Sequence, residues 1–261
     1  MPAKRARSPE RANTSPGGEA SELRERILHA SIELIEEEGL AKLSMREVAR
    51  RAGVTHQAPY HHFADREQIL GEIAEEGFRM LSERIAKAAP AGEMRPDNVV
   101  QRICALGEAY VSLACDHPAH FRIMFRPELV DIDNCPGARD AGQSSYGAFQ
   151  NIVHAAVEAG LPAVPSEAAL MAFLWSVGHG LSCLILDGPL AEKMPDTARE
   201  QQIRSVVQVL QALLESSLSQ ARAATPARPA PRATTSGAQR GVRTPAADGG
   251  KTKPHKPTKR A

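Results

Sequence analysis

An all-α fold is predicted by three observations. Apolar residues recur at three- and four-residue spacing in one window after another, which is the helical period. Few segments carry the alternation that a strand needs. Glycine and proline punctuate the windows, at Gly39, Pro90 and Gly92, Pro118, Gly160 and Pro162. The 261 residues suggest one large or two moderate domains. Four stretches are expected: a disordered basic tail over 1–20, a helical head over 21–81, a helical body over 82–220 and a second disordered tail over 221–261.

The first helix is expected to open at Ser21 and close at Gly39. Leu23, Ile27, Ala30, Leu34 and Ile35 form its buried stripe. Glu36, Glu37 and Glu38 sit at its C-terminus, where negative charge opposes the helix dipole and repels phosphate.

Next comes SMREVARRAGVTHQAPYHHFADR, from Ser44 to Arg66. Ser44 is placed to cap a short helix, accepting from the backbone N–H of Arg46 or Glu47. Met45, Val48 and Ala49 share one face. Gly53 then suits a positive-φ turn. Thr55 is placed to cap a second helix running from His56 to His62, with Pro59 in its first turn. Two helices joined by such a turn make a helix-turn-helix, whose second helix enters the DNA major groove. His56, Gln57 and Ala58 fall on the exposed first turn of that helix, where base edges are read. Glutamine bonds adenine bidentately and alanine meets a thymine methyl. Ser44, Arg46, Thr55, His61 and Arg66 complete the expected DNA-facing set, the two arginines as phosphate contacts. Val48, Val54 and Phe63 read as core. A zinc reading of His56, His61 and His62 fails on geometry, because residues five apart diverge by about 140° on a helix.

The order Ser44-Met45-Arg46-Glu47-Val48-Ala49, Ala52-Gly53-Val54-Thr55, Tyr60-His61-His62-Phe63 and Asp65-Arg66-Glu67-Gln68-Ile69-Leu70 resembles the DNA-binding region of the TetR (tetracycline-repressor) family of bacterial regulators. The resemblance runs from about Ser21 to Leu81. It implies that Tyr60 and His62 hydrogen-bond phosphates.

A long helix is expected from Arg66 or Glu67 to about Ala89, carrying Ile69, Leu70, Ile73, Phe78, Leu81 and Ile85. It links the head to the body. Further helices are expected over 97–116, then a shorter one with Phe121, Met124 and Phe125, then one over 140–159. An irregular acidic loop over 127–136 lies between the last two. Residues 166–187 are the most apolar stretch, with no charge between Glu167 and Asp187. Its length would suffice for a membrane span. Ser176, Gly178, His179, Gly180 and Ser182 argue instead for a buried helix shared between one subunit and another. WSVGHGLSCLILDG, from Trp175 to Gly188, resembles the WHG domain of a TetR subgroup, through Trp175 and His179-Gly180. The last helix is expected over 196–220. In resembling proteins the last two helices pair with their twofold mates as a four-helix bundle.

Net charge is +1, but its distribution is uneven. Residues 1–20 carry four Lys/Arg against two Glu, and residues 221–261 carry ten against Asp248 alone, so the body is acidic. The last segment has six prolines and no large apolar residue, so it cannot bury a core. Its basic runs suit phosphate binding without sequence readout, or solubility alone. Cys104, Cys115, Cys135 and Cys183 show no CxxC spacing and read as buried thiols. No nucleophile–base pair, phosphate loop or metal spacing is visible, and no metal or cofactor is expected. Asp116-His117 reads as a helix end.

The combined expectation is a cytoplasmic bacterial homodimer that binds a near-palindromic double-stranded operator, probes two successive major grooves and is released by a small-molecule effector. Candidate effector contacts are Tyr110, Phe121, Met124, Phe125, Phe149, Trp175 and His179. The rival expectation is a general nucleoid protein acting through its tails.

Overall fold

The computed structural model describes residues 16–89, 94–131 and 134–224. Residues 1–15 and 225–261 of the two expected tails lie outside the described residues, as does part of the acidic loop; residues 221–224, expected in the second tail, continue the last helix. The described residues are helical, without strands, and belong to one compact unit. Among them nine α-helices run in order: α1 Pro16–Glu38, α2 Met45–Arg51, α3 Arg66–Ala88, α4 Val99–Asp116, α5 Pro118–Met124, α6 Pro136–Glu158, α7 Glu167–Leu186, α8 Pro189–Lys193 and α9 Arg199–Ala224. Short 3-10 segments occupy Leu40–Lys42 and Ala58–His61.

Several boundaries differ from expectation. Ser21 does not cap α1, which begins five residues earlier at Pro16; so residues 16–20 are helical, not disordered. A proline fits a first turn because its missing N–H has no helical partner there. The same rule explains α6, which starts at Pro136 and not near Asp140. The short α8 and the segment after Gly39 have no counterpart in the sequence reading. The division expected at 81/82 falls inside α3, which is unbroken there.

The head packs α1, α2 and the start of α3 around Ile27, Leu34, Val48, Phe63, Ile69 and Ile73, all essentially buried. The expected stripe of α1 is thus observed, and Gly39 ends the helix at φ +85°. Asp65 caps α3 by accepting from the Gln68 N–H at 2.8 Å, and Gln68 Oε1 accepts from the Ala64 N–H at 2.7 Å. These reciprocal bonds satisfy donors that α3 leaves free at its start. Helix α3 then passes beneath α4, α5 and α6. Two of its glycines let neighbours sit against bare backbone. A Cβ at Gly71 would collide with Cys135 Sγ, and one at Gly77 would lie 2.5 Å from Met124 Sδ.

Helix α7 is long and apolar enough to cross a membrane, with a mean hydropathy of 1.8 in its best window. In the chain it packs on α4, α6 and α8, and buries Leu170, Met171, Gly178 and Leu181 against them. It is not covered all round: Phe173 and Leu184 are exposed, as are Val209 (61%) and Leu213 (56%) on α9.

Candidate nucleic-acid interface and effector cavity

Ser44 caps α2, its side chain accepting from the Glu47 N–H at 3.3 Å. Met45, Val48 and Ala49 are buried as expected. Gly53 adopts φ +68° and turns the chain. The second reading helix differs from expectation. It is a 3-10 segment over Ala58–His61 whose cap is Gln57, not Thr55. Pro59 is the cause. Were Thr55 the cap of an α-helix, the first helical bond would need the N–H of residue 59, which proline lacks. The Thr55 carbonyl accepts instead from Ala58 at 3.0 Å, and the Gln57 carbonyl accepts from Tyr60 at 3.1 Å.

The result is a short protruding knuckle. Thr55, His56, Gln57, Tyr60 and His61 are exposed; Ala58 and His62 are half-buried. The His56 and Tyr60 rings sit 6.1 Å apart on the outer side. Beneath them Pro59 and Phe63 are buried, and Arg24 lies over the Phe63 ring at 5.1 Å. Arg46 is exposed with no ion-pair partner among the described residues. Ser44, Arg46, Thr55, His56, Gln57, Tyr60 and His61 are thus all open to solvent. Val54, expected in the core, is half-buried. Arg66 departs furthest. It is half-buried and its guanidinium donates to the Leu40 carbonyl at 3.3 Å, which ties α3 to the 3-10 segment that follows α1. Its task in the structure is to join two elements of the head.

Charge on this face is partly neutralised. Arg50 Nε donates to Glu47 Oε1 at 2.8 Å, and this contact holds the Glu47 carboxyl below its usual range. Arg51 pairs with Glu37, so the acidic end of α1 is turned to a partner behind the reading elements.

In the body, a cavity of about 270 Å³ opens among α3, α4, α6, α7 and α9. Tyr110, Phe125, Phe149 and Trp175 line it, as expected. Met124 and His179 line an adjoining cavity of about 320 Å³, which shares Phe125 and Trp175 as a common wall. Phe121 lines neither; it packs edge-on against Tyr110 at 5.6 Å and Phe125 at 5.5 Å. Sequence reasoning missed the wall given by Phe78, Leu81 and Ile85 of α3 and by Val206, Val207 and Leu210 of α9. Their periodicity marks them as buried. It carries no sign that they bury against a void.

The polar atoms of the cavity are joined to one another. Trp175 Nε1 donates to the Tyr110 oxygen at 3.3 Å, and Tyr110 Oη lies 2.9 Å from His179 Nδ1. Tryptophan only donates, so the Tyr110 proton fits the bare Nδ1 of a neutral imidazole. Burial pushes the Tyr110 hydroxyl well above its usual range and pushes His179 below the ordinary 6.5.

This yields a pH prediction. The folded chain binds the His179 proton less well than the unfolded chain. Stability from this group is complete above about pH 6.5 and falls as pH drops from there toward the lower folded value. Melting temperatures measured from pH 7 down to roughly pH 5 will therefore decline more steeply for the parent than for His179→Gln. Equal slopes would remove His179 from the account.

Comparisons with known proteins agree with both halves. A profile described as "Bacterial regulatory proteins, tetR family" matches residues 27–73, and one described as "Tetracyclin repressor-like, C-terminal domain" matches residues 103–210. The second spans Trp175 and His179-Gly180. The HTH-type transcriptional regulator AcrR of Shigella flexneri is 40% identical over 57 residues, covering 22% of this chain and 26% of that protein. SrpR of Pseudomonas putida is 38% identical over 55 residues, covering 21% and 26%. The chain thus matches about a quarter of the length of these curated relatives. A Rhodococcus sp. RHA1 protein of unknown function superposes with a TM-score of 0.59 at 27% identity, covering 74% of this chain and 95% of that one. PfmR of Thermus thermophilus, a TetR-family transcriptional regulator, shares the fold at a TM-score of 0.57 and 19% identity, with 73% and 97% covered. With a reading head and a helical body that each match in sequence, and an architecture that superposes over nearly the whole of these solved structures, the chain belongs to the tetR family of bacterial regulatory proteins.

Proposed function

We propose that this protein is a homodimeric, cytoplasmic transcriptional repressor, released from a near-palindromic operator by a small molecule that enters the body. The observation that carries it is the polar knuckle of His56, Gln57, Tyr60 and His61, held outward by the buried Pro59 and Phe63 beneath it. Two knuckles per dimer suit two successive major grooves roughly 34–36 Å apart. Gln57 and His56 are placed to read base edges, and Tyr60, His62 and Arg46 to hold phosphates.

Coupling is supported by α3. Phe78, Leu81 and Ile85 face the cavity, and the same helix begins three residues after Phe63. Phe78 also meets Phe125 edge-on at 5.6 Å. An effector that fits the cavity better in one position of α3 biases the spacing of the heads, and its differential affinity supplies the coupling free energy.

The test is a Tyr60→Phe, His62→Ala double variant on a DNA fragment from the promoter beside its own gene. Four phosphate bonds per dimer at roughly 0.5–1.5 kcal/mol each predict a loss of about 30-fold or more in operator affinity. Parental affinity in a folded dimer would take both side chains out of the interface. A general nucleoid protein would instead bind any duplex in proportion to its length and give no discrete footprint.

A further inference from the structure

Resting on the effector reading above, we propose that the cavity among α3, α4, α6, α7 and α9 selects an uncharged, largely apolar molecule, such as an alkyl-substituted ring, and rejects ions of the same shape. Among the described residues no charged side chain lines it. The polar side chains in its wall are Tyr110, Ser145, Tyr146 and Trp175. Three of these have spent their polar atoms on protein. Trp175 and Tyr110 are bonded in series to His179, and Ser145 Oγ donates to the Gly142 carbonyl at 2.9 Å. Only Tyr146, half exposed and 6.3 Å from the Trp175 ring, is left at the rim to meet one neutral polar group.

A charged ligand would therefore lose its hydration and find no counter-ion, the costliest form of polar burial. Tyr110 and His179 do not fill that role, since burial keeps the first protonated and the second neutral. Size agrees with the chemistry. An apolar cavity of about 150 Å³ stays dry and accepts benzene. The present one, about 270 Å³, has room for a ring and a short aliphatic chain.

One rival is an amphiphile whose anionic head reaches Arg126 in the adjoining cavity. Arg126 lies 3.8 Å from Glu128, and the Phe125–Trp175 wall stands between the two spaces. The observations favour the neutral ligand.

The experiment uses the full chain and three probes of one shape: 4-butylbenzyl alcohol, 4-butylbenzoate and 4-butylbenzylammonium. Trp175 is the single tryptophan, so its fluorescence reports occupancy directly. We expect the alcohol to bind at least tenfold tighter than either ion, and Val177→Phe, which fills the cavity from α7, to weaken it at least tenfold. A margin under tenfold, no binding by any probe, or undiminished binding to a folded Val177→Phe dimer overturns the proposal. Tighter binding of the carboxylate that is lost in Arg126→Ala also overturns it, in favour of the amphiphile. Operator affinity is measured in parallel. Selective binding of the alcohol without release from DNA counts against the effector reading alone and leaves the cavity's selectivity standing.

Discussion

On the homodimeric reading proposed above, a Val209→Glu, Leu213→Glu variant is expected to sediment as a monomer where the parent sediments as a dimer, and to lose operator affinity by at least a hundredfold. Val209 and Leu213 are 61% and 56% exposed, and lie one helical turn apart on α9. Phe173 and Leu184 on α7 are exposed as well. Monomers seldom leave large apolar side chains bare in such number on two helices that pack on the same third one, α4, and a twofold interface would cover them with their own copies. Placing two glutamates there brings four buried negative charges together across the axis, without partners. The DNA effect follows from linkage. Joining two heads makes the second contact intramolecular, worth roughly 10²–10⁴ in avidity. A variant that still sediments as a dimer would put the interface on another face.

Phe63→Ala is expected to lower stability by about 3–5 kcal/mol, the range for removing a buried phenyl ring. Phe63 is 1% exposed and supports the knuckle from below, with Arg24 over its face. For a chain of this size the loss corresponds to a fall in Tm of roughly 6–20 °C. Total stabilities are about 5–15 kcal/mol, so the loss takes a large share of what holds the head folded. Tyr60→Phe, three residues earlier but 46% exposed, is expected to leave Tm within about 2 °C. Calorimetry of both variants distinguishes support from readout: similar melting of the two would mean that the ring at 63 does not hold the head together.

What can be read in the sequence is what local chemistry decides. Ser44, Gly39, Gly53 and the stripe Leu23–Ile27–Ala30–Leu34 announce their places because caps, positive-φ turns and helical period act within a few residues. The knuckle is legible in its place but not in its shape. Pro59 sits one residue too deep for an α-helix capped at Thr55, a distinction of a single N–H. The role of Arg66 is hidden because its partner, the Leu40 carbonyl, lies 26 positions away and has no sequence signature. The cavity is half legible: its aromatics stand out in α4, α6 and α7 and just after α5. The walls from α3 and α9 depend on how far apart helices come to rest, which no single segment encodes.

The bare backbone at Gly71 and Gly77 carries a genetic consequence. Met124 and Cys135 lie against α3 there, so one extra methyl group at either glycine would force those side chains to shift on it. On the effector-released reading proposed above, such an allele would leave the knuckle intact and weaken the coupling of α3 to the body. Under that reading, selections for variants that no longer answer an effector are expected to recover changes at Gly71 and Gly77 as well as in the cavity wall.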